Sequence, residues 1–377
     1  IKISEYSMPI NNKPKVGIFT KPIDQGTSGS GSHLRQLVNH VLDINDKFNI
    51  ILIHHSKNNK EIYKRTDELI IPKNPIIASF KLKKENFDIL HFSPLTILSP
   101  VWLKKPKKIA TIHGGGAYEL YYSRNLSIIK KLHARTIRPY YARKLEYIFT
   151  VSRITKRQII NYYRVNKDKI WLTYNAVDDD FKVYKKKPIE IKSKYGIDSP
   201  FIFHLSRFSI RKNPWTLLKA FQILKNKKQS IKLVLGGSGW NNKEVIEYSR
   251  KHNMLKDIIF TGFMPRNDYI GLLNLAEVFV FPSFFEGFGM PNLEAMACGC
   301  PVITSNAFAI PEIVGDAALI LKNNLDHDEL ASKMLEVLEN DDLHMNLIRK
   351  GLERVKLYSW KESAQTVLNV YDKCLKH

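Results

Sequence analysis

The chain has 377 residues, 44% of them hydrophobic and 25% charged, a composition that excludes a disordered or fibrous protein and leaves room for two globular domains. Its net charge is +23, and the whole excess lies between residues 101 and 250, where 33 Lys and Arg meet 10 Asp and Glu; the rest of the chain holds 26 of each sign. No apolar run reaches the about 18 residues that a membrane-crossing helix needs. No signal-type apolar segment opens the sequence, so a cytoplasmic protein with reduced thiols at Cys298, Cys300 and Cys374 is expected.

Short apolar runs alternate with amphipathic stretches along the chain. "VGIFT" (16–20), "NIILIHH" (49–55), "FDILHFS" (87–93), "KIATIH" (108–113) and "EYIFTVS" (146–152) read as buried strands, and "GSHLRQLVNHVLDIN" (31–45) reads as a helix between two of them. This is the pattern of βαβ units on a parallel sheet. It pauses at the charged, apolar-poor stretch 181–200, which reads as an interdomain connection. A second series follows: "FIFHLS" (201–206), "IKLVLGG" (231–237), "IIFTGF" (258–263), "VFVFPS" (278–283), "PVITS" (301–305) and "ALILK" (318–322). Two Rossmann-like domains are therefore expected, 1–185 and 186–357, facing each other across a cleft. Residues 358–377 form a terminal helix with Trp360, Ala364, Val367, Leu368 and Tyr371 at helical spacing, expected to lie back on the first domain.

The segment "FPSFFEGFGMPNLEAMACG" (281–299) places Glu286 before a glycine turn and Glu294 three residues after Pro291. In open α/β sheets ligands bind beyond the carboxyl ends of the strands. Proline suits the first turn of a helix, so "FFEGFG" can present backbone N–H groups to a phosphate. Glu294 then falls in the first helical turn. A carboxylate there needs hydroxyl donors, which a ribose supplies, and Glu286 is placed for a second polyol beyond the phosphates. Both acids together point to a nucleotide-diphosphate sugar, whereas Glu at a helix N-terminus for dipole reasons alone is the bland reading. Cations for the diphosphate are offered by "LSRFSIRKNPW", with Arg207 directly after a strand and Lys212 five residues on; a solvated basic loop is the alternative.

"EGFGMPNLEAMACGCPVI" resembles the E-x7-E signature of the retaining glycosyltransferases of family four, which have the GT-B fold. "SRFSIRKNPWTLLKAF", "TVSRITKRQII", "IWLTYNAVDDDF" and "IPEIVGDAALIL" fit the same family in the same order, from about residue 15 onward. The resemblance implies that Arg207 and Lys212 neutralise the leaving diphosphate, that Glu294 holds the ribose hydroxyls and that Glu286 holds the transferred sugar. It places the amides of Phe288, Gly289 and Met290, beside Gly287, in the sugar and phosphate pocket, and the backbone at Gly262 and Phe263 against the base. Gly29 and Gly31, in the glycine-rich turn "TSGSGSHLRQLV" (27–38), would close over the donor phosphates. His113, ahead of three glycines that let a ligand approach the backbone, would meet the donor sugar; on its own it reads first as a packed core histidine.

Tyr118 and the basic stretch 123–144 lie on the expected acceptor side. That stretch reads first as a helix with a charged outer face, and in its functional version as the seat of a phosphorylated or lipid-linked acceptor, with nucleic acid or a membrane surface as further readings. Asn175 resembles the family's N-G-V-D turn, with Ala176 in place of glycine. Asp178, Asp179 and Asp180 could suggest a D-x-D metal site, but that motif belongs to a different, single-domain architecture, so no catalytic metal and no cofactor is expected. The implied activity is hexosyl transfer from a nucleotide sugar to an acceptor hydroxyl with retention, by front-face attack and without a metal, on a chain that can dock peripherally on the inner face of a membrane. The competing classes are a nucleotide-sugar epimerase on the same fold and a nucleic-acid-binding protein using the basic middle.

Overall fold

The computed structural model describes residues 13–24, 29–96, 99–114 and 132–376. Tyr118, residues 123–131 and the start of the glycine turn at 27–28 lie outside the described residues. The chain divides into two compact units, 1–175 with 360–377, and 176–359.

The first unit is built on a seven-stranded parallel sheet in the order β3-β2-β1-β4-β5-β6-β7. Its strands are β1 (Lys15–Phe19), β2 (Asn49–His54), β3 (Glu68–Ile70), β4 (Ile89–Phe92), β5 (Lys107–Thr111), β6 (Tyr147–Thr150) and β7 (Ile170–Leu172). β3 and β7, absent from the sequence reading, are three-residue strands at the two edges, too short to show a period. After the short helix α1 (Lys21–Asp24) comes α2 (Gly29–Ile44). The helix begins inside the glycine stretch, so Gly29 and Gly31 are its first and third residues and not part of a turn ahead of it. Leu34, Leu37, Val38 and Val41 recur at helical spacing and are buried on one face of the sheet.

The C-terminal helix, Trp360–Lys376, packs beside α2 on that same face. All five residues singled out by periodicity are buried. Tyr371 meets His91 Nδ1 at 2.6 Å, and His91 Nε2 meets Thr111 Oγ1 at 2.8 Å, so a buried hydrogen-bonded chain links the helix to β4 and β5. The opposite face is covered by α3 (Pro75–Lys84), the segment 99–103, α4 (Arg138–Arg143) and α5 (Arg153–Tyr163). Ala78, Leu82, Val101, Leu103, Ala142 and Ile159 pack there on the alternate residues of the strands. α3 is capped by Asn74, whose side chain accepts from the Ile76 and Ile77 amides.

The second unit repeats the scheme with six parallel strands in the order β10-β9-β8-β11-β12-β13. They are β8 (Phe201–Leu205), β9 (Lys232–Gly236), β10 (Ile258–Gly262), β11 (Val278–Phe281), β12 (Val302–Thr304) and β13 (Leu319–Ile320). The helices are α6 (Ile189–Lys194), α7 (Pro214–Lys227), α8 (Lys243–Lys251), α9 (Arg266–Leu275), α10 (Met290–Ala297), α11 (Ile310–Val314), α12 (His327–Glu339) and α13 (Asp341–Val355). Strand order reverses between β8 and β11, the switch point at which such sheets bind ligands.

The division between units falls ten residues before the expected 185/186 boundary, and 181–200 is not a free connection. Arg266 grips Asp178 and Asp180, while Asn274 donates to Lys182 O at 3.0 Å and accepts from the Tyr184 amide at 2.7 Å. Ile191 of α6 packs so closely on Gly271 of α9 that a Cβ there would sit 2.1 Å from its Cδ1. These contacts bind 178–194 to the second unit. Replacing Tyr371 by Phe strands the buried His91 Nδ1; urea unfolding followed by circular dichroism should show a loss of about 1–3 kcal/mol.

Candidate active site

The carboxyl ends of β8 and β11 are adjacent, and the loops that follow them are stitched together. The Phe284 amide donates to Arg211 O at 2.8 Å, and Ser283 Oγ lies 3.1 Å from the same carbonyl. This brings Glu286 against the loop ahead of α7. Glu286 Oε1 accepts from Lys212 Nζ at 2.6 Å, Arg211 Nη1 at 2.8 Å and Ser283 Oγ at 2.8 Å. Burial alone would raise the Glu286 carboxyl, but Lys212 and Arg211 outweigh it and hold it below the usual carboxylate range. Burial lowers the Lys212 ammonium, with Glu286 opposing that shift. Lys212 also lies 4.5 Å above the Phe281 ring, an apolar wall on one side of the ammonium.

Lys212 and Glu286 are thus brought together as a pair, but the arginine that completes the cluster is Arg211. Arg207 sits at an exposed position just past the end of β8. Arg211 was overlooked in the sequence although it lies in the same quoted stretch; only its carbonyl bonds to Ser283 and Phe284, seen in three dimensions, single it out.

Beyond Glu286 the chain turns through Gly287 and Phe288 to Gly289, which caps α10 in the left-handed region at φ 90°. A Cβ at Gly289 would come within 3.1 Å of Asn292 Nδ2, so both the dihedral and the space call for glycine. Phe288 turns its ring inward against Tyr358, 5.6 Å between centroids, which leaves its amide at the turn. Met290 is the first helical residue and Pro291 the second. Glu294 is therefore the fifth residue of α10, one position past the first turn in which it was expected.

Glu294 does not join the Glu286 cluster; its Oε2 accepts from Tyr269 Oη of α9 at 2.7 Å. Burial pushes the Glu294 carboxyl up to about 7, against the opposing pull of Tyr269 and the nearby Arg266. Tyr269 is a second residue that sequence reasoning missed. It stands 25 positions from Glu294, on a helix that carried no motif. Asp178 and Asp180, the acids that could have suggested a metal, lie 2.5 and 2.5–2.8 Å from the Arg266 guanidinium. At the ends of β9 and β10, Gly237 donates to Gly262 O at 2.8 Å, and a Cβ on Gly237 would lie 2.3 Å from Ser206 O. Gly262 ends β10 with φ 63°, and Phe263 beyond it is 73% exposed.

In the first unit, His113 follows β5 and its ring meets His33 of α2 edge-on, 4.5 Å between centroids. His33 Nδ1 donates to Asn175 Oδ1 at 2.5 Å, which leaves Nε2 as the bare nitrogen. Trp360 of the C-terminal helix closes the other side of His33 at 5.5 Å. Burial pulls His113 down to about 4, and burial with the His113 charge lowers His33 well below its ordinary value, so both rings are neutral near pH 7. Nε2 of each is buried without a partner among the described residues. Ala176, in place of the family glycine, is buried and has no positive φ.

Two family models match the chain: "Glycosyltransferase Family 4" over residues 28–181 and "Glycosyl transferases group 1" over 188–354. Together they cover most of its length, and the chain belongs to the family-four glycosyltransferases. O-antigen chain mannosyltransferase B of Escherichia coli is 32% identical over 230 residues, 59% of this chain and 60% of that protein. The serotype-specific mannosyltransferase WbdA of the same organism is 29% identical over 61% of this chain and 29% of its own length, so the chain spans less than two thirds of either relative. Among solved structures, a glycosyltransferase from Rickettsia africae aligns over 97% of this chain and all of its own, with TM-score 0.75 and 19% identity. Anabaena Alr3699/HepE in complex with UDP and glucose aligns over 95% of this chain and 99% of its own, with TM-score 0.77 and 15% identity. The fold is GT-B, two parallel-sheet Rossmann-like domains.

The raised Glu294 carboxyl has a consequence for stability. An acid whose folded pKa lies above its unfolded one holds its proton in the native state, so its contribution is full below about 4.5 and is lost as pH climbs to about 7. Glu294→Gln should therefore gain stability relative to the parent chain across that window, on the order of 1–3 kcal/mol, with no further change above it. Paired thermal melts at pH 4.5, 6 and 7.5 read this difference; a constant gap between the two proteins contradicts it.

Proposed function

We propose that this chain transfers a hexosyl group from a nucleotide-diphosphate sugar to an acceptor hydroxyl, with retention of anomeric configuration and without a metal ion. The observation that carries the reading is the convergence of Lys212, Arg211 and Ser283 on one oxygen of Glu286, beside the glycine-capped start of α10 at the β8/β11 switch point. A diphosphate at that helix end would meet main-chain N–H groups together with Lys212, Arg211 and, from the rim, Arg207. These donors are held in place before reaction, so they stabilise charge as it develops on the leaving phosphate without first reorganising.

The two acids take different parts. Glu286, ionised and tied to the cations, is suited to hydroxyls of the transferred sugar. Glu294, poised near neutrality beside Tyr269, is suited to the vicinal hydroxyls of a ribose, whose O–H groups favour its charged form. Gly262 and Phe263, at the end of β10, are suited to contact the base. His113, neutral and backed by His33, can hydrogen-bond to the donor sugar through Nε2. Attack comes from the same face that the leaving phosphate vacates, and that phosphate takes the acceptor's proton. The acceptor is a phosphorylated or lipid-linked glycan, and the names of the mannosyltransferase relatives put a mannosyl nucleotide first among donors to test.

The deciding experiment is incubation with a panel of nucleotide sugars, following thermal stabilisation and then transfer to short glycan acceptors. One mannosyl or glucosyl nucleotide should raise the melting temperature, and transfer should persist in excess chelator; product formed without any acceptor would instead favour an epimerase. Lys212→Met and Arg211→Met should each lower kcat/KM by on the order of 10²–10³. Glu294→Ala should chiefly weaken nucleotide-sugar binding, and Arg207→Ala should chiefly slow turnover. Kinetics unchanged in all four variants would remove the site.

A further inference from the structure

The two faces of the first unit's sheet are covered by layers of very different chemistry. α2 and the C-terminal helix, on one face, carry four Lys and Arg and three Asp and Glu. The other layer consists of 75–84, 99–106, 132–144 and 153–164. It carries thirteen Lys and Arg and no Asp or Glu. Ala78, Leu82, Val101, Leu103, Ala142, Ile159 and Tyr163 bind these segments to one continuous core cluster, so they form a single layer on one side of the sheet. The field is wider than the basic stretch read from the sequence, because α3 and the 99–106 segment join it.

The same layer holds all seven exposed large apolar side chains of the first unit's described residues, among them Trp102, Tyr140 and Tyr162. α3 shows the pattern most clearly. Ala78, Ser79 and Leu82 face the core, while Ile76, Ile77 and Phe80, at 64, 55 and 61% exposure, point away from it. At helical spacing Lys84 follows Phe80 on the outward face, and Lys81 and Lys83 flank it. The Lys83 ammonium lies 5.9 Å from the Phe80 ring, and Lys144 lies 5.7 Å from the Tyr140 ring.

A layer turned only to water would mix both charge signs and hide its aliphatic side chains. A basic helix with outward Ile and Phe and interleaved Trp and Tyr is built instead for the boundary of a bilayer: the rings and aliphatic tips enter the headgroup region and the lysines meet lipid phosphates. Nucleic acid would match the charge and the aromatics but has no use for Ile76 and Ile77. A second copy of the chain would set thirteen like charges against thirteen.

We infer that the outer layer formed by α3, 99–106, α4 and α5 is a docking surface for an anionic phospholipid bilayer. Its purpose rests on the reading of the acceptor as lipid-linked, and it brings the unit carrying His113 to the membrane where such an acceptor resides.

The test is co-sedimentation of the full chain with vesicles of phosphatidylcholine alone and of phosphatidylcholine with 30% phosphatidylglycerol, with transfer to a short water-soluble glycan measured in parallel. Binding should require phosphatidylglycerol and fall steeply with salt. The variants Ile77→Glu/Phe80→Glu and Lys83→Gln/Lys84→Gln should each lower the vesicle partition by on the order of tenfold or more, since each lysine near an anionic surface contributes about fivefold. Their thermal melts and soluble-acceptor transfer should be unchanged, while Lys243→Gln, on an exposed site of the second unit, should leave partition unaltered. No preference for phosphatidylglycerol, or a preference untouched by both double variants, overturns the surface. So does a single-stranded oligonucleotide that displaces the vesicles yet binds the Ile77→Glu/Phe80→Glu variant as tightly as the parent. Loss of soluble-acceptor transfer in the parent chain would count against the proposed reaction and leave the vesicle result to stand separately.

Discussion

One carboxylate oxygen organises the second unit's ligand end. Glu286 Oε1 collects Lys212, Arg211 and Ser283, and in doing so fixes the loop after β11 against the loop after β8. Without that acid, two cations would stand together in a partly desolvated site with nothing to offset their repulsion. With it, they are held side by side on one carboxylate oxygen at the carboxyl ends of β8 and β11. A partly buried ion cluster of this kind adds little net stability over an apolar filling of the same space; its value lies in where it leaves the cations.

The second acid of the pair is held in a different way. Glu294 has one tyrosine as its direct partner and a buried setting, so its proton is retained far above the usual carboxylate range, while Glu286 keeps its charge. Two glutamates eight residues apart in a single motif thus answer to opposite electrostatics, set by what surrounds them and not by the spacing. Arg266 couples the second acid to the segment 178–180, so Asp178 and Asp180 have a structural partner in the same unit.

Much of this was legible in the sequence, for definable reasons. The eleven strands read from apolar runs are all present, because buried parallel strands need continuous apolar residues on both faces. The edge strands β3 and β7 escaped because three residues carry no pattern. Lys212 and Glu286 were singled out by motif for separate ligand groups and not for the contact they make with each other, and Arg211 and Tyr269 were not singled out at all, since each is recognised only by what it touches. Similarly, His33 looked like one more residue of an amphipathic helix until its ring was seen against His113. Glu294 was placed one residue too early in the helix because the sequence shows a proline, not where the left-handed cap sits. The boundary at 185 assumed that charged, apolar-poor chain must be a linker; Arg266 and Asn274 anchor it instead.

The first unit has a further peculiarity: its sheet and most of its helices come from residues before 176, yet one wall of its core is Trp360–Lys376. Tyr371 completes the polar chain through His91, and Trp360 closes the side of His33. During synthesis this unit therefore waits, with an uncovered apolar face beside α2, while 184 intervening residues are made and the second unit folds as a self-contained domain. The first unit's core is thus closed by residues that lie beyond the whole of the second unit in the chain, and the surroundings of the histidine pair are complete only when they are in place.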